Sequence, residues 1–141
     1  VHQARIYEGL GHWMDRKDAE ALPWMAQFSR RCWPSRIVWY QDDVLHDRFY
    51  WIKLPEGSAA KGDTIVAVVD GQNIRIDGDI PSGTRIRLSD QLVDLDSAVT
   101  LTVNGIQEFT GRVKRRMEVI QATLAERLDP STAAYAEIVL P

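Results

Sequence analysis

Hydrophobic and polar residues alternate along the middle of the chain, and this period of two predicts β-strands. The most regular stretch is 64–78, in which Asp70-Gly71 predicts a tight turn between two strands. With that turn, Val69 faces Gln72 across the hairpin. One face of the hairpin is then entirely apolar, formed by Ile65, Ala67, Val69, Ile74 and Ile76.

Further strands are predicted downstream, at Arg85–Leu88, Val99–Val103, Ile106–Phe109 and Ala134–Leu140. Asn104-Gly105, between the second and third of these, is a strong signal for a two-residue hairpin turn. Strict pairing across that turn would place Phe109 opposite Thr100, on the polar face. We therefore expect a β-bulge that moves Phe109 inward.

The apolar period changes to that of a helix at 115–128, and Asp129-Pro130 predicts its end. One face carries apolar side chains three or four positions apart, namely Met117, Ile120, Leu124 and Leu128. We expect that face to be buried against a sheet. Many short strands with one late amphipathic helix predict a mainly β domain at 34–141, a β-sandwich of immunoglobulin-like or related type.

The stretch 36–54 is the richest in β-branched and aromatic residues. It predicts two strands, Arg36–Gln41 and Arg48–Leu54, paired as a hairpin across a polar connection. Apolar side chains fall on both faces of this hairpin, so both faces need cover. We expect the later strands to cover one face and the segment 6–33 to cover the other.

The N-terminal segment 1–33 has a different pattern. A short apolar patch precedes Gly9-Leu10-Gly11-His12-Trp13, which predicts a strand and then a tight turn that presents His12 from a loop. Asp15 is the expected N-cap of a helix that runs to about Leu22, and Pro23 begins a further helical turn. This strand–loop–helix segment is predicted to be a separate part of the chain.

Composition narrows the classes of function. The chain has 141 residues and a formal net charge of −3, so nucleic acid is not an expected partner. No apolar run is long enough to predict a membrane span, and the single cysteine, Cys32, excludes an intrachain disulfide. The tryptophans favour core positions, with a sugar-stacking platform as the alternative, formed by Trp13, Trp39 or Trp51.

The Gly-His turn followed by a helix resembles the C-terminal end of the catalytic domain in bacterial α/β-hydrolases, specifically esterases related to dienelactone hydrolases and polyhydroxybutyrate depolymerases. The run GHWMDRKDAEALPWMAQF, followed by WYQDDVLHDRFYW, is similar to the junction in members that carry a C-terminal β domain. The resemblance implies that 1–33 is the last strand, histidine loop and closing helix of a catalytic domain. It also implies that His12 is the general base of a serine triad.

In that family the serine and the acid precede the histidine in the chain. No G-x-S-x-G motif occurs in the sequence, so the resemblance implies that both residues lie before Val1. Because the chain does not open with methionine, we expect a piece of a longer protein that is inactive alone. The sequence does not determine the compartment of the longer protein, which could be secreted or periplasmic. The expected partner is the missing catalytic domain, and assembly into a homo-oligomer is a further option. No cofactor is expected.

Two alternatives remain open. The acidic turn between the first two strands offers oxygen and nitrogen ligands for a divalent metal, at Asp42, Asp43, His46 and Asp47, although a solvated turn uses the same residue types. The second alternative concerns the whole domain, which would be a free-standing binding or interaction module such as a carbohydrate-binding β-sandwich. Exposed tryptophans would distinguish that module from an accessory domain of an esterase.

Overall fold

The computed structural model of the protein describes residues 3–141. The chain divides into two compact units between Arg31 and Cys32, two residues before the predicted boundary. Within the described part of the chain, no helix is both long and apolar enough to cross a membrane.

The N-terminal unit is helical rather than mixed. Residues 3–13 contain no strand, so the strand predicted before the Gly-His turn is wrong, because this unit offers no second strand to satisfy its backbone groups. Two short 3₁₀ segments make up Met14–Glu20, joined by a kink at Asp15 and Arg16, and the second leads directly into helix α1, Ala21–Met25. Asp15 is not an N-cap, since it lies in that kink with a φ of 49°.

No side chain between residues 3 and 31 is buried. The contacts within the unit are local: the rings of Trp24 and Phe28 lie 4.9 Å apart, and the Tyr7 hydroxyl donates a hydrogen bond to the Glu20 carboxylate at 3.0 Å. Large apolar side chains remain exposed at Ile6, Trp13, Leu22, Met25 and Phe28. This unit therefore has no hydrophobic core of its own.

The C-terminal unit contains two β-sheets. Its strands are β1 Arg36–Tyr40, β2 Arg48–Phe49, β3 Ile52–Lys53, β4 Thr64–Asp70, β5 Asn73–Gly78, β6 Arg85–Leu88, β7 Val99–Val103, β8 Ile106–Gly111 and β9 Ala136–Val139. The first sheet has the order β1-β4-β5-β7-β8, and the second has the order β2-β3-β6-β9. Neighbouring strands are antiparallel except β5 and β7, which run parallel. Helix α2, Met117–Arg127, lies between β8 and β9 in the chain.

One hydrophobic cluster draws buried residues from both sheets. In β4, residues with inward side chains alternate with less buried ones, and β6 contributes Ile86 and Leu88 from the other sheet. The last strand adds Ala136 and Ile138, with Leu140 just beyond it. The predictions of a mainly β domain and a late helix are confirmed.

The hairpin predicted for 36–54 is wrong in its pairing. Strand β1 pairs with β4, which places Trp39 opposite Ile65 in the first sheet, whereas β2 and β3 pair with each other in the second. Tyr50 has a φ of 52° and turns the predicted strand 48–54 back on itself. The sequence pattern located the apolar strands but did not identify their partners. Strand β4 is more distant in sequence, and it pairs with β1 because it offers a longer apolar face than β2.

Only one face of β1 is buried. Ile37 and Trp39 are 2% and 5% exposed, while Val38 and Tyr40 on the opposite face are more than half exposed. Strand β1 therefore carries apolar side chains on both faces, but only one face belongs to the hydrophobic core.

The hairpin of β4 and β5 confirms the predicted apolar face but not the predicted register. All five predicted residues are buried, yet Val69 pairs with Ile74 instead of Gln72. The turn residues are therefore Gly71-Gln72. Because the register differs by two residues, every side chain stays on its predicted face.

The bulge predicted between β7 and β8 is confirmed. Leu101 pairs with Phe109 and Thr102 pairs with Gln107, so Glu108 has no partner across the ladder. The extra residue places Phe109 opposite a buried leucine, as its apolar side chain requires.

Helix α2 is present as predicted, but its buried face is a different one. Met117 and Leu128 are 63% and 83% exposed, whereas Val119 and Thr123 are 5% and 3% exposed. The Thr123 hydroxyl accepts a hydrogen bond from the Ala134 N–H at 2.9 Å and donates one to the Val119 carbonyl at 2.8 Å. The segment after the helix, at Ala134, contacts the face that carries Val119 and Thr123. This contact, and not the apolar stripe, determines how the helix packs.

Candidate functional site

His12 lies in a tight turn of the N-terminal unit. The Met14 N–H closes the turn with a hydrogen bond to the Gly11 carbonyl at 2.9 Å. The imidazole is exposed and meets the Trp13 ring edge-on, with centroids 5.0 Å apart and an interplanar angle of 82°. The turn therefore presents an accessible imidazole from a loop.

The backbone after this histidine is unusual. Met14, Asp15 and Arg16 have φ angles of 46°, 49° and 63°, so three successive non-glycine residues are left-handed. Each such residue costs conformational energy, and residues of this kind cluster at functional sites. The strained backbone therefore directly follows the turn that presents His12.

A cavity of about 570 Å³ lies beside His12, lined also by Trp13, Met14, Arg16 and Asp18. Within residues 3–141 the imidazole has no hydrogen-bond partner, and the Asp18 carboxylate is not bonded to it. A histidine base needs a nucleophile within about 2.6–3.2 Å and an acid behind it. The described residues therefore bring together an exposed histidine and a cavity, but no nucleophile or acid placed to act with it.

The four candidate metal ligands are engaged separately or face solvent. Asp43 pairs with Lys61, Asp47 lies 4.0 Å from Lys53, and Asp42 is exposed. Among residues 3–141, no group of three or more histidine, cysteine, aspartate or glutamate side chains is placed to hold a metal ion.

His46 is fixed through its backbone rather than its ring. The buried side chain of Gln41 donates a hydrogen bond to the His46 carbonyl at 2.7 Å and accepts one from the His46 N–H at 3.1 Å. This amide closes the acidic turn, which explains its ordered shape without a metal.

Two of the three tryptophans considered for a sugar platform belong to the core. Trp39 and Trp51 are 5% and 1% exposed, and the Trp51 Nε1–H donates to the Pro34 carbonyl at 2.9 Å. A platform of Trp39 or Trp51 is therefore wrong, because stacking needs an exposed ring face. Trp13 is 84% exposed and lies beside His12.

The sequence patterns do not predict the cluster of charged side chains around Glu126. Arg87 of β6 is 7% exposed and forms two hydrogen bonds with Glu126 of α2, at 2.8 and 2.7 Å. Arg48 and Lys53 pair with the same carboxylate. The hydrogen bonds from Arg87 are the main reason that the pKa of Glu126 falls to about 2. The sequence does contain one sign of this cluster: in Arg85–Leu88, arginines alternate with apolar residues, so the arginines share one face of a strand.

Comparison of the chain with protein-family models, with curated proteins and with solved structures gives no significant match. The resemblance to α/β-hydrolases therefore stays a prediction from the sequence. The features that bear on function are the exposed histidine turn of one unit and the charged groups of the other.

Proposed function

We propose that this chain is the C-terminal part of a serine esterase of the α/β-hydrolase type. Residues 1–33 complete the catalytic domain and contribute His12 as the general base. Residues 34–141 form an accessory β-sandwich of immunoglobulin-like or related type. The serine and the acid of the triad come from sequence before Val1.

The observation that carries this proposal is an N-terminal unit that exposes large apolar side chains and has no core. Side chains such as Ile6, Leu22 and Met25 are at least half exposed. Burying a large apolar side chain contributes about 1.5–3 kcal/mol, so a segment of this composition gains most of its stability against a larger body. The catalytic domain implied by the sequence resemblance would supply that body, and His12 would then line its active site.

In the proposed enzyme, His12 takes the proton from the serine hydroxyl as the serine oxygen attacks the ester carbonyl. It then returns that proton to the leaving alcohol, and the acyl group stays on the serine. In the second half, His12 takes a proton from water, whose oxygen attacks the acyl-enzyme, and the serine is released with its proton. The carboxylic acid leaves as the second product.

The test uses the longer protein together with the isolated chain. We expect the sequence before Val1 to contain G-x-S-x-G, and the longer protein to hydrolyse p-nitrophenyl esters. His12→Ala in that protein should lower kcat by about 10³-fold or more, because only the oxyanion hole and substrate binding then remain. His46→Ala is the matched control, since His46 lies on the acidic turn of the other unit, and its kcat should be unchanged.

The isolated chain should not hydrolyse the same esters faster than a buffer that contains free imidazole. An unchanged kcat for His12→Ala would overturn the assignment of the base. Ester hydrolysis by the isolated chain would overturn the proposal that the serine and the acid of the triad lie before Val1.

A further inference from the structure

A cleft in the C-terminal unit lies between helix α2 and the outward face of the second sheet. Its volume is about 480 Å³. Cross-strand pairing places Lys53 beside Arg85 and Arg87 beside Glu137, so these side chains share the face turned away from the core. The charged groups that line the cleft are Lys53, Arg85, Arg87, Arg116, Glu118, Glu126 and Glu137, four cations and three carboxylates.

Cationic side chains outnumber the carboxylates that hold them. Arg48, Lys53 and Arg87 all pair with Glu126, and Lys53 also lies 4.0 Å from Asp47. At the other end of the cleft, Glu137 serves two arginines: it lies 2.7 Å from Arg85 and 3.8 Å from Arg116.

Two of these cations have unused hydrogen-bonding capacity. The guanidinium of Arg116 donates no hydrogen bond within residues 3–141, and that of Arg85 donates one, to Glu137. The side chains of Arg116 and Arg85 are 52% and 47% exposed, so solvent and ligands can reach them. Each guanidinium carries five N–H donors, most of which are therefore unused. The two arginines therefore offer several donors to a ligand in the cleft.

The base of the cleft is fixed. Arg87 is held by two hydrogen bonds to Glu126, and its Nε is the only buried side-chain nitrogen or oxygen without a hydrogen-bond partner in the described part of the chain. A buried donor without an acceptor is uncommon in folded proteins, so Arg87 has hydrogen-bonding capacity that Glu126 does not use.

We propose that this cleft binds the oxyanion group of a small ligand, a phosphate or a sulfate. Arg85 and Arg116 are its main ligands, because planar guanidinium groups bind tetrahedral oxyanions through pairs of hydrogen bonds. Lys53 adds a third positive charge, and the Arg87–Glu126 pair holds the sheet and the helix at the spacing that the site needs. This inference does not depend on His12 or on the proposed esterase activity.

The test measures binding of inorganic phosphate and of sulfate to the intact chain by calorimetry, at a constant ionic strength of about 0.15 M. Acetate is the comparison anion, because it carries a single charge on a planar carboxylate. We expect saturable binding of at least one tetrahedral anion and little binding of acetate. The bound anion should also raise the melting temperature, since it binds only the folded chain.

Variants separate a binding site from a structural network of ion pairs. Arg85→Gln together with Arg116→Gln should weaken binding by about tenfold or more, since charge-assisted hydrogen bonds are lost. Glu137→Gln should strengthen it by removing the competing carboxylate. Arg75→Gln is the control, because Arg75 is an exposed arginine of the first sheet that pairs with Asp77. Its binding should be unchanged.

Three results would overturn the proposal. One is the absence of saturable binding by either tetrahedral anion. Another is equal loss of binding in the Arg75→Gln control and in the double variant. The third is an equal response to acetate, which would mean that the anions only screen the charges of α2 and the sheet. A melting temperature raised by phosphate in the wild type but not in the double variant would support the site independently.

Discussion

Arg87 and Glu126 meet through two parallel hydrogen bonds, 2.8 and 2.7 Å long, that join β6 to helix α2. The pair matters because α2 has few buried side chains: Val119 and Thr123 are the ones below the surface in this helix. A helix with so little apolar contact relies on polar contacts for its position. The arginine is almost fully buried, so the carboxylate is also needed to compensate its charge.

Glu126→Gln should lower the free energy of unfolding by about 2–4 kcal/mol, because Arg87 then stays buried without a compensating charge. Glu118→Gln is the matched control, on the exposed first turn of the same helix, and should change stability by less than about 0.5 kcal/mol. Urea denaturation of the three proteins measures both values. Equal stability of the Glu126 variant and the wild type would show that the pair does not position α2.

The same pair predicts a pH dependence. The pKa of Glu126 is lowered from 4.5 to about 2 in the folded chain, so the unfolded state binds the proton more readily. The stabilisation is therefore fully present above about pH 4.5 and is lost as the pH falls towards about 2.

We expect the stability difference between wild type and Glu126→Gln to be larger at neutral pH than at about pH 3. The pKa values of Asp94 and Asp96 are also lowered, by hydrogen bonds from Ser97 and Arg115 respectively. Those residues are unchanged in the variant, so the difference between the two proteins isolates Glu126. A difference that does not vary with pH would contradict the assignment.

The buried face of α2 can be tested with two substitutions to aspartate. Val119→Asp should destabilise the C-terminal unit by about 3 kcal/mol or more, since it places a charge at a buried apolar position. Met117→Asp should change stability by less than about 0.5 kcal/mol, because Met117 is exposed. The opposite order in thermal or urea melts would favour the apolar stripe that the sequence predicts.

Removal of residues 1–31 should leave the cooperative unfolding of the C-terminal unit unchanged within about 0.5 kcal/mol, because residues 3–31 contribute no buried side chain. The shortened chain should also bind less of a dye that reports exposed apolar surface. A large loss of stability would show that the N-terminal segment is part of the β unit's cooperative core.

The sequence alone determined most of the local structure of the C-terminal unit. Alternating apolar residues located β4, β5, β6 and β7, because a strand buried on one face has a side-chain period of two. The bulge at Phe109 was also predictable, since strict pairing would have put an aromatic ring on the polar face. The location of α2 followed from its apolar period and from the Asp129-Pro130 stop.

Tertiary structure decided which elements meet. Strand β1 was expected to pair with its neighbour in sequence, yet it pairs with β4, because apolar alternation defines a face and not a partner. The buried face of α2 depends on a hydrogen bond between Thr123 and Ala134, which no helical period reveals. The Arg87–Glu126 pair joins residues 39 positions apart. Charged residues in a sequence indicate a solvated surface by default, and only folding shows which of them are buried together.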